Sequence, residues 1–219
     1  ALLFGCNAFA SRMSSVFSRQ LLKSLGIKVI IKSDFDWFSS SNGFVHIYNH
    51  ENPLDVFVIQ GYLGLPSITT AGSHLGRVLP FFDRCAINAG HILLDHMDPA
   101  SRRSSFLRSF ETMATRGQMI IAPNGSLVTS IYQRASRSPQ VLARKFSTFI
   151  APWVFVYGDL KMTGKDFYSP ASILLKRLTA PSVTITCSLR EEDLNAIPVS
   201  TPKDLFEPAI IDFYGSRKG

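Results

Sequence analysis

The chain has 219 residues, enough to bury a full core and best fitted to one medium domain. Hydrophobic residues make up 46% and charged residues 18%, proportions that exclude a disordered chain. A formal charge of +7 draws the protein to polyanions such as an anionic bilayer or a phosphate-bearing substrate; without helix-turn-helix, zinc-finger or aromatic RNA-binding signatures, nucleic acid is not an expected partner.

In chain order, Leu3, Phe4, Phe9, Met13, Val16, Phe17, Leu21, Leu22 and Leu25 recur at three- and four-residue steps, predicting a helix that Gly26 stops. Its apolar start, Ala1 to Ala10, runs into Arg12, Arg19 and Lys23. That pattern suits an amphipathic helix lying on an anionic membrane surface, and the same periodicity also serves a helix packed on its own domain. The chain is therefore divided into an interfacial helix at 1–26 and a domain at 27–219. It has no run of about 18 uncharged apolar residues, the length needed to span a bilayer.

Lys28 to Lys32 and Phe44 to Tyr48 read as strands, with a Ser/Asn/Gly turn at 39–43 between them. From Pro53 to Leu63 the spacing turns helical, with Pro53 at the first helical position. His91 to Leu94 predicts a strand, Pro99 to Arg116 a helix ended by Gly117, 118–122 a strand and 123–126 a turn. Ser138 to Phe149 predicts a helix, and Pro152 to Tyr157 and Ser182 to Ser188 predict strands; the pattern beyond Leu189 assigns no element. Such alternation implies an α/β fold, a mixed sheet covered by helices.

Cys6, Cys85 and Cys187 are odd in number, scattered and without ligand or redox spacing, which suits buried thiols in a reducing compartment. His91, Asp95, His96 and Asp98 cluster in sequence, and His46 lies near His50, a donor mixture that a metal-dependent hydrolase could use. No recognisable ligand spacing accompanies them, so structural histidines are expected and no metal.

The segment from Tyr48 to Asp55 leaves a predicted strand and enters a predicted helix, the place where open α/β sheets bind ligands. A carboxylate at Asp55 can fix the tautomer of His50 so that Nε2 is free to take a proton. On spacing alone, the favoured reading is a turn residue at His50 and a helix N-terminal charge at Asp55.

Asn49-His50 followed by Asp55 resembles the N-H-x4-D signature of the glycerolipid acyltransferases, the 1-acylglycerol-3-phosphate acyltransferase family. Further blocks follow in that family's order. Gly90 to His96 (GHILLDH) resembles its G-x-x-F-I-D-R block, Ile121 to Ser126 (IAPNGS) its F-P-E-G-T block, and Ile150 to Val154 its short apolar block around a proline. Leu22 to Val29 is similar to its lead-in, and the likeness covers about residues 21–190.

The resemblance implies an O-acyltransferase of phospholipid biosynthesis, peripheral on a membrane's cytoplasmic face. In it His50 deprotonates the hydroxyl of lysophosphatidic acid or a related lysolipid, and the alkoxide attacks the thioester of acyl-CoA or an acyl carrier protein. No cofactor is implied. Asn49, His96, Asn124, Gly125, Ser126 and Arg137 are the expected substrate-binding residues, with backbone N–H groups near Gly125 as oxyanion or phosphate donors. Three departures stand out. The family's Glu is Asn124, its Arg two residues past the glycine is Leu127, and the Arg ending the second block is His96. The base is thus retained while the acceptor site is altered, with Arg102, Arg103, Arg134, Arg137 and Lys145 as candidates to supply the missing charge. A catalytically impaired lipid-binding protein of the same fold is the alternative those departures raise.

Overall fold

The computed structural model describes residues 2–37, 43–52, 54–70, 86–94, 98–124, 135–158 and 183–217. Residues 39–42 of the turn expected at 39–43, and Pro53, lie outside the described residues. Five strands form the main sheet: β1 (Ile27–Ser33), β2 (Phe44–Tyr48), β5 (Gln118–Ile121), β6 (Phe149–Val156) and β7 (Val183–Leu189), in the order β1-β7-β6-β2-β5. All pairs are parallel except β6 with β7. A second, two-stranded sheet pairs β3 (Ile68–Thr70) with β4 (Ile92–Leu94), and a bridge from Ser67 to Ile120 ties it to β5. The mixed, helix-covered α/β architecture expected from the alternation of elements is the one observed.

β2 is buried along its whole length, as a central strand covered on both faces must be. Its period of two divides two cores. Phe44 and Tyr48 join one core with Leu22, Phe57, Leu63 and Trp153, whereas Val45 and Ile47 join the other with Met113, Leu142, Phe206 and Tyr214. The first core lies under α1 (Leu2–Ser24) and α2 (Asp55–Val58). The second lies under α3 (Pro99–Arg116), α4 (Ser138–Lys145) and α5 (Phe206–Ser216).

Local chemistry explains most boundaries. Asp98 caps α3 by accepting from Ala100 N (2.9 Å) and Ser101 N (3.1 Å), with Pro99 in the first turn, where its missing N–H costs nothing. Gly117, at φ 70°, ends that helix in the left-handed conformation that glycine adopts freely.

No element was expected at β3, and three other stretches also differ from the sequence expectation. The helix expected over 53–63 is one α turn followed by a π-helical stretch, Ile59–Leu63. At its wide turn the Gly61 carbonyl accepts from Ser15 Oγ (3.1 Å) and from Arg19 Nε, so α1 is held against it. The helix expected to reach Phe149 stops at Lys145, and β6 begins at Phe149, where it pairs with Phe44 of β2. Finally, the unassigned tail forms a 3-10 turn at Glu191–Asn195 and then α5, whose Tyr214 hydroxyl donates to the Trp153 carbonyl (3.1 Å).

α1 forms over the predicted span, and its Leu22 and Ser18 are fully buried. The Ser14 and Ser18 hydroxyls donate to Gln60 Oε1 at 2.9 and 3.1 Å. Its opposite side exposes Phe9, Met13, Val16 and Phe17. Among the described residues no helix is long and apolar enough to cross a membrane.

Candidate active site

The site is built where β2 runs out. One residue past the strand, Asn49 continues the ladder with its side chain: Nδ2 donates to the Phe155 carbonyl (2.8 Å) and Oδ1 accepts from Phe155 N (2.7 Å). Both amide atoms thus bind the backbone of β6, and the buried Asn49 clamps the two strand ends together. The next residue, His50, is turned toward the start of α2. Asn52 shapes the return: its Oδ1 accepts from Leu54 N (3.0 Å), an Asx turn that delivers Asp55 as the first residue of the helix.

His50 Nδ1 lies 2.8 Å from Asp55 Oδ2; the imidazole side chain keeps 19% of its surface exposed while the carboxylate has none. Two further donors reach Asp55, with Asn52 N at 3.3 Å from Oδ2 and the Tyr157 hydroxyl at 2.8 Å from Oδ1. Burial holds the carboxyl above its usual range, and these hydrogen bonds, led by that of His50, favour its ionised form without cancelling the rise. An ionised Asp55 accepts only, so Nδ1 carries the hydrogen and Nε2 presents its lone pair. That is the protonation pattern of a general base.

The phenols of Tyr48 and Tyr157 are held well above their ordinary range, first by burial and then by the Asp55 charge, so both stay protonated donors. The Tyr48 ring stands 5.5 Å from the His50 ring and walls one side of it. Asn124, in the turn after β5, donates from Nδ2 to the His50 carbonyl (2.9 Å). An ionised glutamate at that position would have no hydrogen to give, so this departure from the family pattern fixes the loop that carries His50.

The structure therefore brings together Asn49, His50, Asp55 and Asn124 from the residues singled out in the sequence. Arg137 sits exposed at the N-cap of α4 and is not part of this hydrogen-bonded set; Arg102, Arg103 and Lys145 are also exposed. His96, Gly125, Ser126, Leu127 and Arg134 lie outside the described residues, as do Cys85 and Asp95. Sequence reading missed Asn52 and Tyr157. The Asn-Pro pair before Asp55 is a turn signal that points to Asn52, whereas nothing local marks Tyr157 as more than a strand end.

Two other histidines among the described residues, His46 and His91, hold the fold. His46 Nδ1 accepts from the Trp153 indole (3.0 Å), and its Nε2 faces Gln118 Oε1 at 3.2 Å. His91 Nδ1 accepts from Ser67 N (3.2 Å) and lies 2.8 Å from Ser67 Oγ. Burial lowers both to about 4, so both rings are neutral at physiological pH. Asp98 is the cap of α3, and the Cys187 thiol is buried and pushed up, inert in the core.

A helix-covered, largely parallel sheet carries a His/Asp pair just past the end of β2. The family model described as Acyltransferase matches residues 29–156, from β1 to the end of β6, and the chain belongs to that family. In fold it is similar to the crystal structure of the 1-acyl-sn-glycerophosphate (LPA) acyltransferase PlsC from Thermotoga maritima. The TM-score is 0.64 at 11% identity, over 97% of this chain and 80% of that one. No curated protein sequence matches the chain significantly.

Proposed function

We propose that the protein is a glycerolipid O-acyltransferase that moves a fatty acyl group from acyl-CoA or an acyl carrier protein to the hydroxyl of lysophosphatidic acid or a related lysolipid. The observation that carries this reading is the 2.8 Å contact between a partly exposed His50 and a fully buried Asp55. A lipid hydroxyl does not ionise at neutral pH and needs a positioned base, while a thiolate leaves with little help. His50 Nε2 takes the hydroxyl proton as the oxygen attacks the thioester carbonyl; Asp55 stabilises the imidazolium; collapse of the tetrahedral intermediate releases the thiolate, which takes up that proton. Base catalysis of this kind typically contributes about 10² to 10⁴-fold, the rest coming from positioning and oxyanion stabilisation. The step calls for no metal or redox group.

The lipid acceptor places the reaction at a bilayer, and α1 supports that location. Phe9, Met13, Val16 and Phe17 form an exposed apolar stripe, while Arg12 and Lys23 stand exposed nearby to meet anionic headgroups. The protein then works peripherally, on the cytoplasmic face where anionic lipids concentrate.

The reading is tested with purified protein, a radiolabelled acyl thioester and a panel of lysolipids differing in headgroup. Label is expected to move to at least one lysolipid, with thiol release dependent on that acceptor. If no acceptor on the panel takes up label, the proposed activity is wrong.

A further inference from the structure

Asp55 has two carboxylate oxygens, and only Oδ2 meets His50. Oδ1 is held from the other side of the turn, by the Tyr157 hydroxyl at 2.8 Å. Tyr157 directly follows β6, and β6 is fixed to the His50 loop by the Asn49 clamp on Phe155, two residues earlier. The same hydroxyl lies 3.2 Å from the Asn49 carbonyl, one residue before the base. One phenol therefore joins the strand end, the loop and the first residue of α2.

We propose that Tyr157 is a positioning residue for the transfer reaction: by binding Oδ1 it fixes the rotation of the Asp55 carboxylate, so that Oδ2 faces His50 Nδ1 and Nε2 is aimed at the acceptor. Without it, one oxygen of a carboxylate fully out of water loses its donor, and the group can turn about its terminal torsion, which is broad.

The bond also withdraws charge from the carboxylate. Removing it destabilises the state in which His50 is neutral and Asp55 is charged more than any state holding one more proton. The pair therefore takes up that proton at higher pH, whichever atom carries it. The other titratable groups around the pair are Tyr48 from β2, Cys187 from β7 and Glu51 beside His50 in the chain. Burial first, and then the Asp55 charge, raises Tyr48 and Cys187, so neither ionises in the working range.

The inference rests on His50 acting as the base, and its test separates the two. Tyr157→Phe keeps the ring and removes the hydroxyl. For acyl transfer, kcat is expected to fall about tenfold, the effect of one hydrogen bond to a charged group, with KM unchanged. The acidic limb of the pH–rate profile should move to higher pH, and so should the midpoint of the His50 ring in a nitrogen NMR titration without substrate. Incorporating 3-fluorotyrosine at position 157, a stronger donor of nearly the same shape, should move both midpoints to lower pH, and it keeps the test open if Tyr157→Phe fails to fold. Unmoved midpoints overturn the role of Tyr157 even if turnover falls, because loss of packing alone leaves proton affinity unchanged. Shifted His50 midpoints in a protein that transfers no acyl group keep the hold of Tyr157 on the Asp55–His50 pair and remove the proposed function instead.

Discussion

A carboxylate taken fully out of water, as Asp55 is, stays charged only when donors surround it. Asp55 has three, His50 and Asn52 from the turn before it and Tyr157 from the end of β6. Replacing the carboxylate by an amide keeps the shape but lets an NH₂ group face His50 Nδ1, which reverses the tautomer and blocks Nε2 with a hydrogen. Asp55→Asn is accordingly expected to lower turnover by about two to four orders of magnitude while its melting temperature stays near that of the wild type. Steady-state thiol release and calorimetry check this; near-normal turnover would mean that Asp55 does not orient the base. At this scale the spacing placed His50 and Asp55 within one short turn, and the resemblance of Asn49-His50 with Asp55 to the N-H-x4-D signature singled them out as a pair. Tyr157 was not legible, since its partner is 102 residues away and its reach depends on β6 lying beside β2.

Elements whose pattern comes from local chemistry, such as α3 with its Asp98 cap and Gly117 stop, were legible nearly to the residue. Those shaped by tertiary pairing were not. Phe149 follows a helical pattern, yet β2 recruits it into a strand; the π-helical stretch has the same apolar spacing as an α-helix and differs only in the carbonyl it leaves for α1. α1 shows why periodicity gave two readings. Ser14, Ser18 and Leu22 face the domain while Phe9, Met13, Val16 and Phe17 face outward, so one helix has a packed inner face and an exposed apolar one. The triple substitution Phe9→Ser/Met13→Ser/Phe17→Ser leaves the inner face intact. It is expected to weaken co-sedimentation with anionic vesicles by about a hundredfold or more, at roughly 1 kcal/mol or more for each of the three exposed apolar side chains, without lowering the melting temperature. Unchanged sedimentation would show that the outer stripe does not meet the bilayer.

Across the whole molecule, the sheet order sets β2 between β6 and β5, which is why residues from three distant blocks meet around one loop. The order of blocks along the chain pointed to the family, but no pattern in the sequence states that β6 reverses against β7 or that the tail returns to cap the second core. The same compact packing gives a global pH response. His46 and His91 are lowered from 6.5 to about 4 by burial, so stability is fully present above 6.5 and is lost as pH falls toward 4. Each histidine should cost about 2 kcal/mol at pH 5 relative to pH 7. His46→Gln preserves an acceptor for the Trp153 indole and a donor for Gln118 without a titrating ring. Urea unfolding of this variant should lose less stability between pH 7 and pH 5 than the wild type; an equal loss would mean that His46 is not protonated on unfolding.

The most direct test of the site as a whole compares thiol release from an acyl thioester by wild-type protein and His50→Ala, at saturating lysolipid and neutral pH. A base at residue 50 predicts that His50→Ala retains its fold but loses at least about a hundredfold in kcat. Equal rates from the two proteins would contradict it.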